Sequence, residues 1–147
     1  MVRIATVNDA VQLNELNNEF NGKGETTIEQ ISDSLLNNKQ EIVVVDEEDD
    51  ILVGFVCVQL KKSFCYDVYM PEITEVYVKQ AYRRRGISRN MMTFAEDYCC
   101  KNYEFYNMEL LTGKENFSAQ SVYKKLGYRN DQEIHMKKVY KSISVQD

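Results

Sequence analysis

The hydrophobic positions of this chain follow two periods, and together they predict a mixed α/β (α+β) protein. Apolar residues at helical spacing predict four helices: one after Asn8 or Asp9 that stops at residues 21–24, one capped by Thr26 or Thr27, and two over 88–101 and 116–126. Runs rich in β-branched and aromatic residues predict strands at 3–7, 41–45, 51–60, 73–79, 105–111 and 133–140. The resulting order is β-α-α-β-β-β-α-β-α-β, a mixed sheet with helices on its faces.

Length and charge narrow the class of partner. At 147 residues we expect a single domain over 1–147 with one sizeable core. A net charge of -5 argues against nucleic acid as the main partner, since phosphate backbones require a basic face. The same charge suits a cationic small molecule, although an acidic surface also serves solubility. The acidic run at 46–50 is interpreted as a solvated hairpin tip, since like charges repel and stay hydrated.

The hydrophobic pattern and the cysteine spacing predict a reducing compartment. No apolar signal region opens the chain and no stretch has the roughly 18 apolar residues of a membrane span, so we expect a cytoplasmic protein that does not bind membranes. The four cysteines lack metal-ligand spacing, and we expect buried or half-buried free thiols and no metal. They are Cys57, Cys65, Cys99 and Cys100.

The most informative segment is a strand that ends in a basic, glycine-containing turn before a helix. Residues 76–89 run from Val-Tyr-Val into Arg-Arg-Arg-Gly-Ile-Ser-Arg, and the helical pattern follows directly. Backbone N–H groups at such a helix start carry partial positive charge and attract phosphate. Three consecutive arginines in an acidic chain indicate a specific anion.

These residues, together with a second pattern downstream, resemble the GCN5-related N-acetyltransferase (GNAT) family. The family's acyl-CoA signature, Gln/Arg-x-x-Gly-x-Gly/Ala, stands at 83–88 with Ser88 in the last place. A further family pattern, Asn-x-x-Ala-x-x-x-Tyr-x-x-x-Gly-Phe/Tyr, matches every fixed place of 116–128. Two motifs in the right order on the right elements are far more specific than either alone. The close resemblance covers about 73–128 and implies a mostly antiparallel sheet flanked by about four helices.

The resemblance also implies roles for particular residues. The strand before the turn would pair with the pantetheine arm of acetyl-CoA, and a free N–H near Val76 to Val78 would polarise the thioester carbonyl. Tyr123 would donate a proton to the departing thiolate, where the alternative is a packing tyrosine. Asn116 would contact the coenzyme arm, cap the last helix, or do both. The implied coenzyme-binding residues are Val76, Tyr77, Val78, Arg83, Arg84, Arg85, Gly86, Ile87, Ser88, Arg89, Asn116, Ala119 and Tyr123.

A base that deprotonates the amine is harder to identify. Glu75, on the strand that enters the turn, is the first candidate and Glu72 the second, although a strand carboxylate is more often a solvated edge group. A chain of waters without a dedicated base is a third possibility. His135, on the predicted closing strand, is interpreted as structural.

The main functional hypothesis is direct acetyl transfer from acetyl-CoA to a primary amine, without an acyl-enzyme. Carboxylates near the probable acceptor loops, Glu19, Glu25, Glu72 and Glu75, favour a small cationic acceptor such as an aminoglycoside, a polyamine or an amino-acid derivative. A protein N-terminal or lysine acetyltransferase is the alternative enzyme, and a non-catalytic acyl-CoA-binding module is the alternative outside enzymes. A nucleotide-binding protein is disfavoured, since GxxxxGK[ST] is absent. The closing strand at 133–140 would leave a sheet edge that a homodimer covers.

Overall fold

The computed structural model describes residues 1–141 of the chain. Four α-helices and five strands alternate with two short 3-10 turns. The helices are α1 (Ala10–Asn21), α2 (Ile28–Asn37), α3 (Ile87–Asn102) and α4 (Phe117–Lys125). The strands are β1 (Val2–Ile4), β2 (Glu41–Glu48), β3 (Ile51–Lys61), β4 (Met70–Val78) and β5 (Glu109–Leu110).

The strands form one sheet in the order β1-β2-β3-β4-β5, with antiparallel pairing except between β4 and β5. That parallel pair is joined by α3, as a crossover connection requires. The mixed, mostly antiparallel sheet with four helices is therefore confirmed. No helix within residues 1–141 has the length and hydrophobicity needed to cross a bilayer.

Apolar residues fill both faces of the sheet, and each face carries its own helices. Leu13 and Leu16 of α1 pack with Phe55 on one face, and α2 adds partly buried residues there. On the opposite face α3 contributes Met91, Met92 and other buried residues, and partly buried residues of α4 join the same cluster. Because side chains alternate along β4, Val76 and Val78 belong to the α3 cluster while Tyr77 belongs to the α1 cluster.

The β2–β3 hairpin is longer than its sequence suggests. The acidic run was expected to be a solvated turn, but Asp46 is buried and Glu47 lies in β2. Only Asp49 and Asp50 form the turn, with φ of 50° and 65°. Positive φ at both central residues is the geometry that matches the twist of a two-residue hairpin, and aspartate tolerates it better than most residues.

The predicted closing strand at 133–140 is wrong. Residues 129–141 contain no strand, and every residue of 133–140, including His135, is exposed. A strand needs a hydrogen-bonded neighbour, and β5 pairs with β4 alone among the described strands. The strand predicted at 105–111 is also shorter, since only an isolated bridge at Phe105 precedes β5.

The thiols divide by environment. Cys99 is buried and Cys57 is partly buried, as expected, whereas Cys65 and Cys100 are exposed, contrary to expectation. Adjacent Cys99 and Cys100 point in different directions because successive helix positions lie about 100° apart around the axis.

Candidate functional site

The centre of the candidate site is the place where β4 and β5 separate. The two strands pair only at Glu72 with Glu109 and at Ile73 with Leu110, after a single upstream bridge. Lys61 of β3 contacts both glutamates, with its Nζ 2.9 Å from Glu72 and 2.6 Å from Glu109. This cation stabilises two like charges that face each other where β4 and β5 are still paired. Beyond that point β4 continues to Val78 without β5 beside it.

The free edge of β4 presents backbone groups to the gap. Lys79 donates its N–H to Val53 at 2.8 Å, which places that pair in the hydrogen-bonded register with β3. Antiparallel pairs alternate, so Val76 and Val78 direct their N–H and C=O groups away from β3. The Val78 carbonyl confirms this direction, because it accepts a hydrogen bond from Arg83 Nε at 2.9 Å. The N–H groups of Val76 and Val78 thus face the opening between the strands.

The turn after β4 carries six consecutive backbone donors without a protein acceptor. Within residues 1–141, none of the N–H groups from Arg84 to Arg89 donates to a protein atom, and the first helical bond of α3 is Asn90 N–H to the Gly86 carbonyl at 3.0 Å. Arg84 and Gly86 hold φ of 65° and 76°. A Cβ on Gly86 would meet nothing within 4 Å, so the bend is open to solvent. Donors converging on an open helix start form an anion-binding geometry.

The arginine side chains have different environments. Arg83 binds the Val78 carbonyl and lies over the ring of Tyr77 at 5.8 Å from the ring centroid. Arg85 lies over the Tyr82 ring at 5.1 Å. Arg84 and Arg89 are exposed. Arg83 therefore anchors the strand end, while the others add positive charge around the open bend.

Helix α4 lines a groove together with α3 and β5. Asn116 caps it, because the side-chain carbonyl of Asn116 accepts the Ala119 N–H at 3.2 Å. The helix ends at Gly127 with φ of 98°, where Gly127 N–H donates to the Lys124 carbonyl and Tyr128 N–H to the Tyr123 carbonyl. This pair of bonds is the Schellman arrangement that the glycine predicted.

Tyr123 and Tyr128 lie side by side with their ring centroids 6.4 Å apart. Tyr128 donates its hydroxyl to Glu96 at 3.1 Å, whereas the Tyr123 hydroxyl has no partner within the described chain. Burial raises the pKa of Tyr123, so its hydroxyl keeps its proton at neutral pH. Tyr123 lines a groove of about 860 Å³ between α3, α4 and β5, and this groove also includes Leu110, Leu111 and Thr112.

A second, smaller cavity lies on the other face of the sheet, bordered by α1, α2 and the strands. Its volume is about 230 Å³, and Glu75 and Glu41 both line it. Desolvation raises the pKa of each carboxyl, and the charge of Glu75 raises that of Glu41 further. The remaining lining residues are Leu13, Asn17, Asn21, Thr26, Gln30, Ile31, Ser34, Leu35, Val43, Phe55 and Cys57.

The predicted acceptor carboxylates separate into different environments. Glu75 faces the cavity, but Glu72 is held by Lys61, and Glu19 by Lys79 at 2.7 Å and by the Tyr77 hydroxyl at 2.9 Å. The Lys79 hydrogen bond lowers the pKa of Glu19. Thr74, between Ile73 and Glu75, is an extra residue in the register with β3 and forms a bulge. The bulge turns Glu75 toward the cavity.

Sequence patterns missed Glu41. It begins a β-branched run that was interpreted only as a strand, although its alternation with buried Ile42 shows that it faces the other side of the sheet. Cys57, opposite Glu75 on β3, lines the same cavity. Burial is the largest of the effects that raise the pKa of Cys57, so the neutral thiol is favoured.

Comparisons with known proteins agree with this geometry. The sequence profile of the acetyltransferase (GNAT) family matches residues 10–128. No curated protein sequence matches the chain significantly. Among solved structures, an aminoglycoside acetyltransferase from an uncultured soil metagenomic sample, in complex with trehalose, has a TM-score of 0.83 at 17% identity, covering 96% of both chains.

Two further structures share the fold. AAC(6')-Iy, in complex with the bisubstrate analogue CoA-S-monomethyl-acetylneamine, has a TM-score of 0.82 at 14% identity, covering 95% of this chain and 97% of that one. A ribosomal-protein-alanine N-acetyltransferase from Brucella melitensis biovar Abortus 2308 has a TM-score of 0.76 at 14% identity, covering 95% and 98%. These likenesses show the fold, and the family match over most of the chain shows that the protein belongs to the acetyltransferase (GNAT) family of enzymes, which use acetyl-CoA as donor.

Proposed function

We propose that this enzyme transfers the acetyl group of acetyl-CoA directly to a primary amine of a small cationic acceptor. One observation supports this most: the N–H groups of Val76 and Val78 point away from β3, and those from Arg84 to Arg89 have no acceptor within residues 1–141. An extended pantetheine arm carries amides that such an edge binds as an added strand would, and the turn suits its diphosphate. On this proposal Arg84, Arg85 and Arg89 supplement the turn's charge, while Arg83 holds the strand end.

The proposed chemistry needs three groups. Glu75 removes a proton from the attacking amine, directly or through a water, and its raised pKa makes it a stronger base than an ordinary carboxylate. The N–H of Val76 or Val78 stabilises negative charge on the thioester oxygen. The amine nitrogen bonds to the acetyl carbon as the carbon–sulfur bond breaks, and Tyr123 gives its proton to the departing thiolate.

Direct transfer is favoured over an acyl-enzyme by the state of the nearest thiol. Cys57 lines the acceptor cavity, yet burial raises its pKa and suppresses the thiolate that a nucleophile requires. A Cys57→Ala enzyme that still acetylates amines is the expected result. Acetyl trapped on Cys57 in the wild type would contradict direct transfer.

The cavity supports a small acceptor over a protein. It is smaller than the roughly 300–1,000 Å³ typical of sites for drug-sized ligands, and two carboxylates line it. AAC(6')-Iy and the soil aminoglycoside acetyltransferase agree with a small amine, whereas the ribosomal-protein-alanine enzyme keeps the alternative of a protein N-terminus or lysine open.

The decisive experiment is an amine panel assayed for release of free coenzyme A thiol. The panel contains aminoglycosides, linear polyamines, amino-acid amides and peptides with a free N-terminus or a lysine. We expect turnover with small polyamino compounds. Turnover confined to peptides would favour the protein acetyltransferase, and calorimetric binding of acetyl-CoA without turnover of any amine would favour a non-catalytic module.

The proposal also covers domain organisation, cellular compartment and oligomeric state. We infer a single domain acting in the cytoplasm as a homodimer. The four free cysteines, two of them exposed, suit a reducing compartment. The exposed apolar residues beyond α4 suit a partner copy.

A further inference from the structure

The acceptor cavity contains two carboxylates without a counter-ion. Among the ion pairs of residues 1–141, none involves Glu41 or Glu75. Lys61 of β3 and Lys79, which follows β4, are engaged by other glutamates. Within residues 1–141, the only polar partner of the Glu41 carboxylate is Gln59, whose Nε2 lies 3.5 Å from Oε2. The cavity is therefore built around negative charge that the described protein does not neutralise.

The sheet register places the two carboxylates on different strands of that cavity. Glu41 on β2 pairs with Gln59, while Glu75 on β4 pairs with Cys57. Two strand spacings of about 5 Å across and two residues along separate their Cα atoms by about 12 Å. The two side chains thus line one cavity from different strands, with Cys57 between them.

Their surroundings indicate what the space accepts. Amide and hydroxyl side chains from α1, α2 and the loop between them, including Asn17, Asn21 and Gln30, line the cavity beside apolar Leu13 and Phe55. Burial makes each charged carboxylate costly, and a bound ammonium group removes that cost by ion pairing. The two carboxylates lie on strands two spacings apart, so the cavity offers each of them to a separate ammonium group.

We infer that the acceptor carries at least two amino groups, with Glu41 binding the ammonium that does not react while Glu75 faces the amine that is acetylated. This inference rests on the proposed function, since it assigns the role of the proposed base to Glu75. Glu41 is then a specificity-determining residue for compact polyamines and polyamino sugars. A monoamine of the same length would leave the Glu41 charge buried and unpaired.

The test compares linear diamines of three to six carbons with the monoamines of equal length, using acetyl-CoA and thiol release. We expect the best diamine to exceed its monoamine in kcat/KM by about tenfold or more, the size of one charge-assisted hydrogen bond. Glu41→Gln keeps the shape and the Gln59 contact but removes the charge. It should raise KM for that diamine by about tenfold, with a smaller change in kcat, and bring the diamine-to-monoamine ratio close to one.

The matched control is Glu29→Gln, a carboxylate exposed on α2 that does not line the cavity. It should leave the wild-type ratio unchanged. A wild-type enzyme that acetylates diamines and monoamines with equal kcat/KM overturns the inference and leaves the proposed function standing. Acetyl-CoA binding without acetylation of any amine overturns the proposed function itself. The comparison of diamines with monoamines uses the wild-type enzyme alone. It can therefore overturn the inference even if the Glu41→Gln protein folds poorly.

Discussion

At the scale of single residues, Tyr123 of α4 and Tyr128, which follows the helix, are expected to differ in role. The Tyr128 hydroxyl donates a hydrogen bond to Glu96. The Tyr123 hydroxyl has no partner in the described chain and faces the groove beside β5. Tyr123→Phe should lower kcat on the order of a hundredfold and change KM for acetyl-CoA much less, because the lost proton donor acts only as the thiolate leaves. Steady-state kinetics measure both constants.

Tyr128→Phe is the internal control for that experiment. It removes the hydrogen bond to Glu96 and should cost about 1 kcal/mol of stability, measured by denaturant unfolding, while kcat stays close to wild type. If Tyr123→Phe turns over as fast as the wild type, the hydroxyl has no role in the leaving step.

The pH dependence of the rate tests Glu75. Desolvation raises its pKa, so its base form is lost at a higher pH than for an ordinary carboxyl as the solution is acidified. The acceptor must first lose one proton to solvent to become a neutral amine, which by itself gives log(kcat/KM) a slope of one against pH, and Glu75 then accepts a second proton as the nitrogen attacks. Below the Glu75 pKa the wild type should therefore show a slope of two, and Glu75→Gln a slope of one with a lower rate throughout.

Glu72→Gln serves as the comparison, because Lys61 holds Glu72 outside the acceptor cavity. Its pH profile should follow the wild type. A slope of one in the wild-type enzyme would mean that water alone accepts the proton.

The sequence identified some of these residues and missed others for a physical reason. The basic turn and Tyr123 lie in continuous motifs, so their neighbours along the chain reveal them. Glu41 joins Glu75 only through the register of three strands, which no local pattern records. The engagement of Glu19 and Glu72 by lysines is equally invisible, since each pair spans distant segments.

At the scale of elements, the start of α3 has a left-handed residue, Gly86, within the proposed coenzyme site. Gly86 caps the helix with φ of 76°, and a Cβ there has open space around it. Gly86→Ala should therefore cost only about 1–2 kcal/mol of backbone strain. It should also raise KM for acetyl-CoA several-fold, because relief of that strain turns the N–H groups away from the diphosphate.

Gly24 provides the matched control for the coenzyme effect. It has φ of 88° and similarly open space, in the loop between α1 and α2. Gly24→Ala should lose a similar amount of stability, measured by thermal unfolding, and keep the wild-type KM for acetyl-CoA. Equal KM changes in both variants would assign the effect to general destabilisation and would remove the turn from the coenzyme site.

Helices were easier to predict than strands. The apolar stripe of α3, with Ile87, Met91, Phe94 and Tyr98, fixes a helix whose hydrogen bonds are internal, and its observed bounds differ by one residue at each end. A strand exists only with a partner, and the pattern at 133–140 specified an extended segment without saying what lies beside it. The splay of β4 from β5 likewise follows from where pairing stops, which sequence alone does not show.

At the scale of the whole molecule, the sheet edge formed by β5 is uncovered in the described residues. Within residues 1–141 no strand covers the outer edge of β5, and the segment after α4 exposes four large apolar side chains. Open edges and contiguous apolar surface promote association between chains. The side chains are Ile134, Met136, Val139 and Tyr140, each 72–86% exposed.

We therefore expect the enzyme to form a homodimer in which this segment contacts a second copy. Sedimentation equilibrium at micromolar concentration should give twice the chain mass of 17.2 kDa. Replacing Ile134 and Met136 together by serine should shift the mass toward one chain, because apolar burial contributes about 25 cal/mol per Å² to association. Leu36→Ser, which changes a residue 57% exposed on α2, should leave the dimer intact. A wild-type protein that sediments as a single chain would show that these side chains stay in solvent, and the dimer would have to be abandoned.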